Sequence, residues 1–271
     1  MKRFVGILAL LAVLLMIPAT AFASGAADDS DVLEKVKERG RLIVGTEAQY
    51  APYEFRDQNA NIVGSDIFIA EQIAAELGVE LEIVDMAFDG IIPAIQSGQV
   101  DIGIAGFTST PEREEVVDFS DVYEASAQDL IVAAGNEDVY TTPESLAGLK
   151  VGAQRGSIQS GLVRDVIPEA ELFELAKYPE LALEVQNGNI AGFVVEGAVG
   201  DAMVAASDGK LARANITFGD RLTTVGKRAI VQKNNPEFLA EVNKVIDRIV
   251  SDGSYQRAYE EAVALQKQLG M

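Results

Sequence analysis

Thr108, Thr110 and Arg113 follow a predicted strand closely enough to form one anion-binding group. Val100–Ala105 (VDIGIA) is typical of a buried strand, and Thr110 with Pro111 provides an N-cap and first-turn proline for a short helix. Arg113 then takes the third helical position. The loop offers backbone groups, hydroxyls and one fixed guanidinium, which is chemistry suited to holding a small carboxylate. The alternative is that Arg113 is a surface arginine at a helix start.

The elements around this loop must hold it in place. Asp89 is predicted to cap the helix before the strand, and Gly98 to end that helix. Asp66 is predicted to cap an earlier helix that Gly78 ends, and Val79–Val84 is typical of another strand. Alternating helices and strands of this kind predict an α/β fold.

A second copy of the pattern lies 90 positions later in the chain. Gln96–Ile104 (QSGQVDIGI) aligns with Gln186–Val194 (QNGNIAGFV), and each copy consists of a helix end, a glycine and a buried strand. Two positions further on, Gly106 aligns with Glu196. A chance match between short strands remains the alternative. The repeat predicts two lobes built on the same plan, which present their strand ends to a shared crevice where ligands of open α/β sheets bind.

Composition excludes several classes of function. The 271 residues include no cysteine and no histidine, so disulfides, a cysteine nucleophile, Ser-His-Asp catalysis and most zinc sites are excluded. We expect no cofactor and no metal. The net charge of −20 disfavours binding to nucleic acid and to anionic membranes.

The first 23 residues have the pattern of a secretory signal peptide. Lys2 and Arg3 precede the apolar run Phe4–Ile17, and Ala21-Phe22-Ala23 offers small residues for cleavage after Ala23. A membrane anchor is the alternative, but a span needs about 20 apolar residues. Cleavage would change the net charge to −22, and without a cysteine for a lipid anchor we expect a free periplasmic protein.

The chain resembles the family-3 extracellular solute-binding proteins, the polar amino-acid receptors of bacterial uptake transporters, over nearly all of its mature length. The resemblance rests on these motifs, in order: Gly45-Thr46-Glu47, Tyr50, Pro52, Tyr53-Glu54-Phe55, Gly64-x-Asp66, Phe88-Asp89-Gly90-x-Ile92-Pro93-Ala94-x-Gln96-x-Gly98, Ala105-Gly106, Thr110-Pro111-Glu112-Arg113 and Val117-Asp118-Phe119-Ser120.

The resemblance implies a type II periplasmic binding protein-like fold, with two α/β lobes joined by two hinge strands. After the signal peptide (1–23) and a lead-in with the first helix (24–40), lobe 1 would comprise 41–125 and 227–271, and lobe 2 would be the inserted segment 126–226. We expect a monomer that closes around one amino acid and docks on the permease of an ABC transporter.

The resemblance also implies roles for single residues. Arg113 would bind the ligand's α-carboxylate, assisted by Thr108 and by the amides near Ser157 and Ile158. Glu196 would meet the α-ammonium, although the family more often has the shorter Asp there. The remaining expected contacts are the carbonyl of Gly106 for the ammonium, the rings of Tyr50 and Phe88 around the ligand's side chain, and Glu47 and Gln154 at its distal end.

Each role has a structural alternative. Glu196 and Glu47 could be solvated acids beyond strands, and Tyr50 and Phe88 could belong to the core. Glu47 and the lack of an obvious basic residue for an acidic side chain favour a cationic L-amino acid. Arg155 would reverse that expectation if its side chain pointed inward.

Two other functions are compatible with the same fold. One is a dehydratase acting on prephenate- or arogenate-like substrates (cyclohexadienyl or arogenate dehydratase), in which Glu47 or Glu196 would donate a proton. The other is a detached amino-acid sensor that signals through a separate partner protein. The intact amino-acid clamp favours a binding protein over an enzyme.

Overall fold

The computed structural model describes residues 31–216, 218 and 225–271. The predicted signal peptide, its cleavage after Ala23 and the lead-in up to residue 30 lie outside the described residues. Among the helices within the described ranges, none has the length and apolar character needed to cross a membrane.

Helices and strands alternate over two long stretches of the described chain, from Ser65 to Phe119 and from Lys150 to Arg213. The helices are α1 (Val32–Arg39), α2 (Ser65–Leu77), α3 (Phe88–Gln96), α4 (Pro111–Glu114), α5 (Ile158–Val166), α6 (Tyr178–Gln186), α7 (Gly197–Ala205), α8 (Pro236–Ser251) and α9 (Ser254–Gln268). The strands are β1 (Arg41–Thr46), β2 (Gln49–Tyr50), β3 (Glu54–Arg56), β4 (Ile62–Val63), β5 (Glu80–Asp85), β6 (Ile102–Thr108), β7 (Val117–Phe119), β8 (Glu124–Ser126), β9 (Gln128–Ala133), β10 (Lys150–Gln154), β11 (Glu171–Leu175), β12 (Gly192–Glu196), β13 (Leu211–Arg213) and β14 (Val225–Gln232).

The first sheet has the order β5-β1-β6-β14-β7, with β8 also paired to β14. Strands β1, β5 and β6 are parallel, and β14 runs antiparallel to its neighbours. Helices α1, α2, α8 and α9 contribute to the apolar core around this sheet. Helix α8 turns one apolar face to this core, and its members are all buried: Phe238, Val242, Val245, Ile246 and Ile249.

The second sheet has the order β11-β10-β12-β9-β13, and it confirms the internal repeat. Ile102 of β6 pairs with Val44 of β1, and its counterpart Gly192 of β12 pairs with Val151 of β10 in the same parallel arrangement. Helix α3 ends at Gln96 and helix α6 at Gln186, each six positions before its strand begins. The glycines that follow, Gly98 and Gly188, both take a positive φ. The two lobes therefore share one α/β plan.

The chain passes from the first sheet to the second at Ala127, between β8 and β9. It returns between β13 and β14, through residues that lie partly outside the described ranges. A small sheet of β2, β3 and β4 packs against α2, and β2 also contacts α6. The turn between β3 and β4 is held by Asp57, whose Oδ1 accepts hydrogen bonds from the N–H groups of Asn59 and Asn61.

Two predicted helix caps are wrong. Helix α3 begins at Phe88 with Ala87 as its N-cap, so Asp89 lies inside the first turn. Helix α2 begins at Ser65 after Gly64, and the buried Asp66 accepts hydrogen bonds from the Gly106 N–H and the Tyr123 hydroxyl through Oδ2. Tertiary donors thus use an acid that local sequence alone predicts to be a cap.

Candidate ligand-binding site

All ten residues predicted to contact a ligand line one cavity between the two sheets. The cavity, counted out to its mouth and including the solvent there, holds about 440 Å³ of space free of protein atoms. The predicted residues are Glu47, Tyr50, Phe88, Gly106, Thr108, Arg113, Gln154, Ser157, Ile158 and Glu196. The sequence reasoning missed these further lining residues: Glu54, Ala105, Ser126, Gln128, Gln159, Tyr178 and Lys227.

The carboxyl ends of parallel strands explain why these distant residues meet. Glu47 directly follows β1, and Thr108 ends β6 of the same sheet. Gln154 ends β10, and Glu196 ends β12 of the second sheet. Because the two sheets turn these ends toward one another, each contributes polar groups to opposite walls of the cavity.

Arg113 lies where the short helix α4 places it. Thr110 caps α4, and its Oγ1 accepts a 3.3 Å hydrogen bond from the Arg113 N–H. The guanidinium donates to the carbonyl of Thr108 at 2.7 Å and, across the cavity, to the carbonyl of Gly156 at 2.9 Å. It also lies within 5.6 Å of the ring centre of Phe88. Burial lowers the pKa of Arg113 to about 10, so the side chain stays charged at neutral pH.

The charge of Arg113 has no acidic partner within hydrogen-bond distance among the described residues. Both of its side-chain hydrogen bonds go to carbonyl oxygens, which carry no net charge. A partly buried guanidinium in this setting favours binding of an anion. The predicted suitability of this loop for a carboxylate therefore has a geometric basis.

Ser157 and Ile158 form the opposite wall at the start of α5. The Ser157 side chain caps the helix by accepting from the Ser160 N–H at 3.4 Å. The Ser157 N–H itself donates to the Gln154 carbonyl at 3.2 Å, so the turn already uses this predicted amide. Ile158 is the first helical residue, and the first N–H groups of a helix have no acceptor within the helix.

Glu196 is held by three donors. Its Oε2 accepts from the Tyr50 hydroxyl at 3.0 Å. Its Oε1 accepts from the Ser126 hydroxyl at 2.5 Å and from Lys227 Nζ at 2.5 Å. The carboxylate is only 4% exposed, so the alternative of a solvated acid is wrong.

Lys227 is a buried cation that the sequence reasoning did not identify. Its side chain is 1% exposed, and Nζ also lies 3.2 Å from Glu124 Oε2 and 2.9 Å from the ring centre of Tyr53. Lys227 stands opposite Glu124 where β14 pairs with β8, 103 positions away in sequence. No short-range pattern in the sequence carries that pairing.

Glu47 and Gln154 meet across the cavity. Gln154 Nε2 lies 3.5 Å from Glu47 Oε2 and donates to the Ala176 carbonyl at 3.0 Å. Glu47 Oε1 is buried and has no hydrogen-bond partner among the described residues. The pKa of Glu47 is raised to about 7, mainly by burial; the hydrogen bond with Gln154 opposes the shift, and the neighbouring Asp85 contributes to it. The free oxygen can accept a donor from a bound molecule.

The aromatic lining residues belong to the core and to the cavity at once. Tyr50 packs against Tyr178 with ring centres 5.6 Å apart, and Phe88 stacks on Phe107 at 4.5 Å. Both remain in contact with the empty space. Arg155, in contrast, is not among the lining residues. It is half exposed and lies 3.7 Å from Asp89, so it does not supply a basic group to the cavity.

Comparison with known proteins agrees with this architecture. Residues 42–263 match the family described as bacterial extracellular solute-binding proteins, family 3. The arginine-binding extracellular protein ArtP of Bacillus subtilis is 30% identical over 219 residues, which cover 80% of this chain and 84% of ArtP. The L-cystine-binding protein TcyJ of Escherichia coli is 29% identical over 233 residues, which cover 86% of each chain.

A solved structure shows the same fold. The amino acid ABC transporter substrate-binding protein AbpA of Streptococcus pneumoniae, bound to L-arginine, is 33% identical with a TM-score of 0.82. The similarity covers 86% of this chain and 98% of AbpA. The two α/β lobes therefore form the type II periplasmic binding protein architecture, and the chain belongs to the bacterial extracellular solute-binding proteins of family 3.

Proposed function

We propose that this protein captures a cationic L-amino acid, with arginine as the first candidate, and delivers it to the permease of an ABC transporter. The observation that carries the proposal is the pair of unmatched charged groups in one cavity. Arg113 presents a partly buried cation without an acidic partner among the described residues, and Glu47 presents a buried carboxyl with a free oxygen. These groups complement a ligand that carries a carboxylate at one end and a cation at the other.

The residue roles follow from this assignment. Arg113 binds the α-carboxylate together with Thr108 and the Ile158 amide, while Glu196 and the Gly106 carbonyl receive the α-ammonium. Tyr50 and Phe88 enclose the aliphatic part of the side chain. Glu47 and Gln154 bind its distal cation, and the exposed position of Arg155 supports a cationic rather than an acidic ligand.

Capture involves closure of the two lobes. We place the hinge near 125/126 and 226/227, within the paired strands β8 and β14. The ligand would bind one lobe first and then favour the closed arrangement through its contacts with both. The family membership supports a protein that works in the periplasm after removal of its signal peptide. We propose that it acts there as a monomer.

Isothermal titration calorimetry with the twenty amino acids tests the proposal. We expect sub-millimolar binding of arginine or lysine, and weaker or absent binding of glutamate. A purified protein that gives no binding heat with any amino acid would refute the proposal.

One observation favours a second candidate, a dehydratase. A carboxyl with a pKa of about 7 is suited to general acid catalysis at neutral pH, and Glu47 lies inside the cavity. The assay is conversion of prephenate or arogenate by the purified protein. Turnover that is lost in Glu47→Gln, without any amino-acid binding, would replace the transport proposal by the enzymatic one.

A further inference from the structure

Glu196 has little capacity left for a ligand. A carboxylate offers about four positions for hydrogen-bond donors, and Tyr50, Ser126 and Lys227 already take three of them. The negative charge of Glu196 is also neutralised by the ammonium of Lys227, a side chain that is itself fully buried. One acceptor position therefore remains, with reduced negative potential.

An α-ammonium group has three N–H donors to satisfy. The remaining position on Glu196 and the Gly106 carbonyl provide two acceptors. A buried ammonium that lacks its third hydrogen bond, and whose carboxylate partner is already neutralised, would bind weakly. A further acceptor with its own negative charge is needed at this end of the cavity.

Glu54 has the position and the unused hydrogen-bond acceptors that this role requires. It lies on β3 opposite Tyr50 on β2, so the two side chains share one face of the small sheet. Glu54 is 1% exposed and lines the cavity, yet no described residue donates a hydrogen bond to it, and Oε2 is buried without a partner. A buried carboxyl without a partner is costly, which points to a ligand as the missing donor.

The geometry around Glu54 places it at the ammonium end. Its strand partner Tyr50 donates its hydroxyl to Glu196, and the Tyr50 ring lies 3.4 Å from where a Cβ on Gly106 would stand.

The electrostatics around Glu54 agree. The pKa of Glu54 is raised, most strongly by burial and then by the carboxylates of Asp66 and Glu47, in that order. The ammonium of Lys227 opposes the shift. Of the two carboxylates, Asp66 has the larger effect on the pKa of Glu54, and Asp66 accepts a hydrogen bond from the Gly106 N–H. Glu54 is thus more closely coupled to the Gly106 end of the cavity than to Glu47 at the distal end.

We propose that Glu54 is a ligand-binding residue that accepts the α-ammonium of the captured amino acid, while Lys227 holds Glu196 as its partner. This inference rests on the proposed function. Three acceptors then match three donors: the carboxylate of Glu54, one oxygen of Glu196 and the carbonyl of Gly106. The Glu54 carboxylate supplies the negative charge that Lys227 cancels on Glu196.

The test compares L-arginine with 5-guanidinopentanoate, which is arginine without its α-amino group. Calorimetry measures both compounds on wild-type protein, on Glu54→Gln and on Glu71→Gln, a surface substitution of the same type on α2. We expect Glu54→Gln to weaken arginine binding by roughly 10-fold to 100-fold. Binding of 5-guanidinopentanoate should stay within about 3-fold of wild type, because that compound has no ammonium to lose.

The outcomes separate this inference from the proposed function. Wild-type affinity for arginine in Glu54→Gln would overturn the inference, and so would an equal loss for both compounds, which indicates a structural role. Citrulline, which is arginine with a neutral side-chain end, serves as a third ligand. If Glu54→Gln lost the discrimination between arginine and citrulline, Glu54 would lie at the distal end, and the inference would be overturned. A wild-type protein that binds neither compound would overturn the proposed function, and the inference with it.

Discussion

Lys227 Nζ lies 2.5 Å from Oε1 of Glu196, and this ion pair joins β14 of the first sheet to the end of β12 in the second. Both side chains are almost fully buried. A buried pair contributes little net stability compared with apolar residues, but loss of one partner leaves an uncompensated charge. The pair also decides how much of Glu196 is available to a ligand.

The first prediction concerns the stability of this pair. Lys227→Met leaves Glu196 and Glu124 without their shared cation, so we expect the free energy of unfolding to fall by about 3–5 kcal/mol. Urea denaturation monitored by circular dichroism measures the change. The double variant Lys227→Met with Glu196→Gln should recover part of the loss, because it removes the unpaired charge at Glu196.

An exposed ion pair provides the control for Lys227. Lys244 on α8 lies 2.6 Å from Glu76, but its side chain is 62% exposed, so Lys244→Met should change the unfolding free energy far less than Lys227→Met does. Equal effects of the two lysine substitutions would contradict the assignment of Lys227 as a buried counter-ion.

The second prediction concerns the shape of the Arg113 guanidinium. Arg113→Lys keeps the charge but loses the planar fork that can hold a carboxylate through two hydrogen bonds. We expect the affinity for the amino acid to fall roughly 100-fold. Calorimetry measures the affinity, and an unchanged melting temperature would show that the fold is intact. A lysine variant with wild-type affinity would remove Arg113 from the carboxylate site.

Local patterns in the sequence predicted part of the site because the relevant contacts are local. Thr110, Pro111 and Arg113 lie within one turn, so their types and spacing determine how the guanidinium is presented. The repeat predicted the position of Glu196 at the cavity for a related reason. The helix, glycine and strand that precede it are the same local unit as those before Gly106.

Residues whose roles depend on distant partners were not predictable. Lys227 in the stretch GKRAIV has the character of an ordinary strand residue, and its burial follows from pairing with β8 and contact with Tyr53. Glu54 belongs to the family motif, but only tertiary packing leaves its carboxyl without a donor. Asp66 was predicted to be a helix cap because the Gly106 and Tyr123 donors cannot be seen locally.

The third prediction concerns the pH dependence of stability without ligand. The pKa of Glu47 is about 7 in the folded protein, compared with an ordinary value of 4.5 for a glutamate side chain. The raised pKa means that stability present below pH 4.5 is lost as the pH rises toward 7. Glu47→Gln does not titrate, so its unfolding free energy should exceed the wild-type value by an amount that grows with pH.

Denaturation curves between pH 4 and pH 8 measure this difference. We expect the advantage of Glu47→Gln over wild type to increase by up to about 3 kcal/mol across that interval. Asp66, whose pKa burial raises to about 6, titrates in both proteins and cancels from the comparison. A difference that stays constant with pH would show that Glu47 titrates normally.

The fourth prediction concerns proton release on ligand binding. A cationic side chain beside Glu47 favours the ionised carboxylate, so binding must expel the proton that Glu47 carries below pH 7. The affinity for arginine should therefore rise with pH, by at most about 10-fold per pH unit from this group, and level off above pH 7. Citrulline, which has the same α-groups but a neutral side chain, should draw no proton from Glu47.

Calorimetry at pH 6 in buffers of different ionisation enthalpy counts the protons released. We expect wild-type protein to release up to one more proton with arginine than with citrulline, and Glu47→Gln to remove that difference. The comparison between the two ligands cancels any proton released by groups near the α-ammonium, including Glu54, because both ligands carry that ammonium. If wild type released equal numbers of protons with both ligands, Glu47 would not contact the distal cation, and the cationic specificity would require another source.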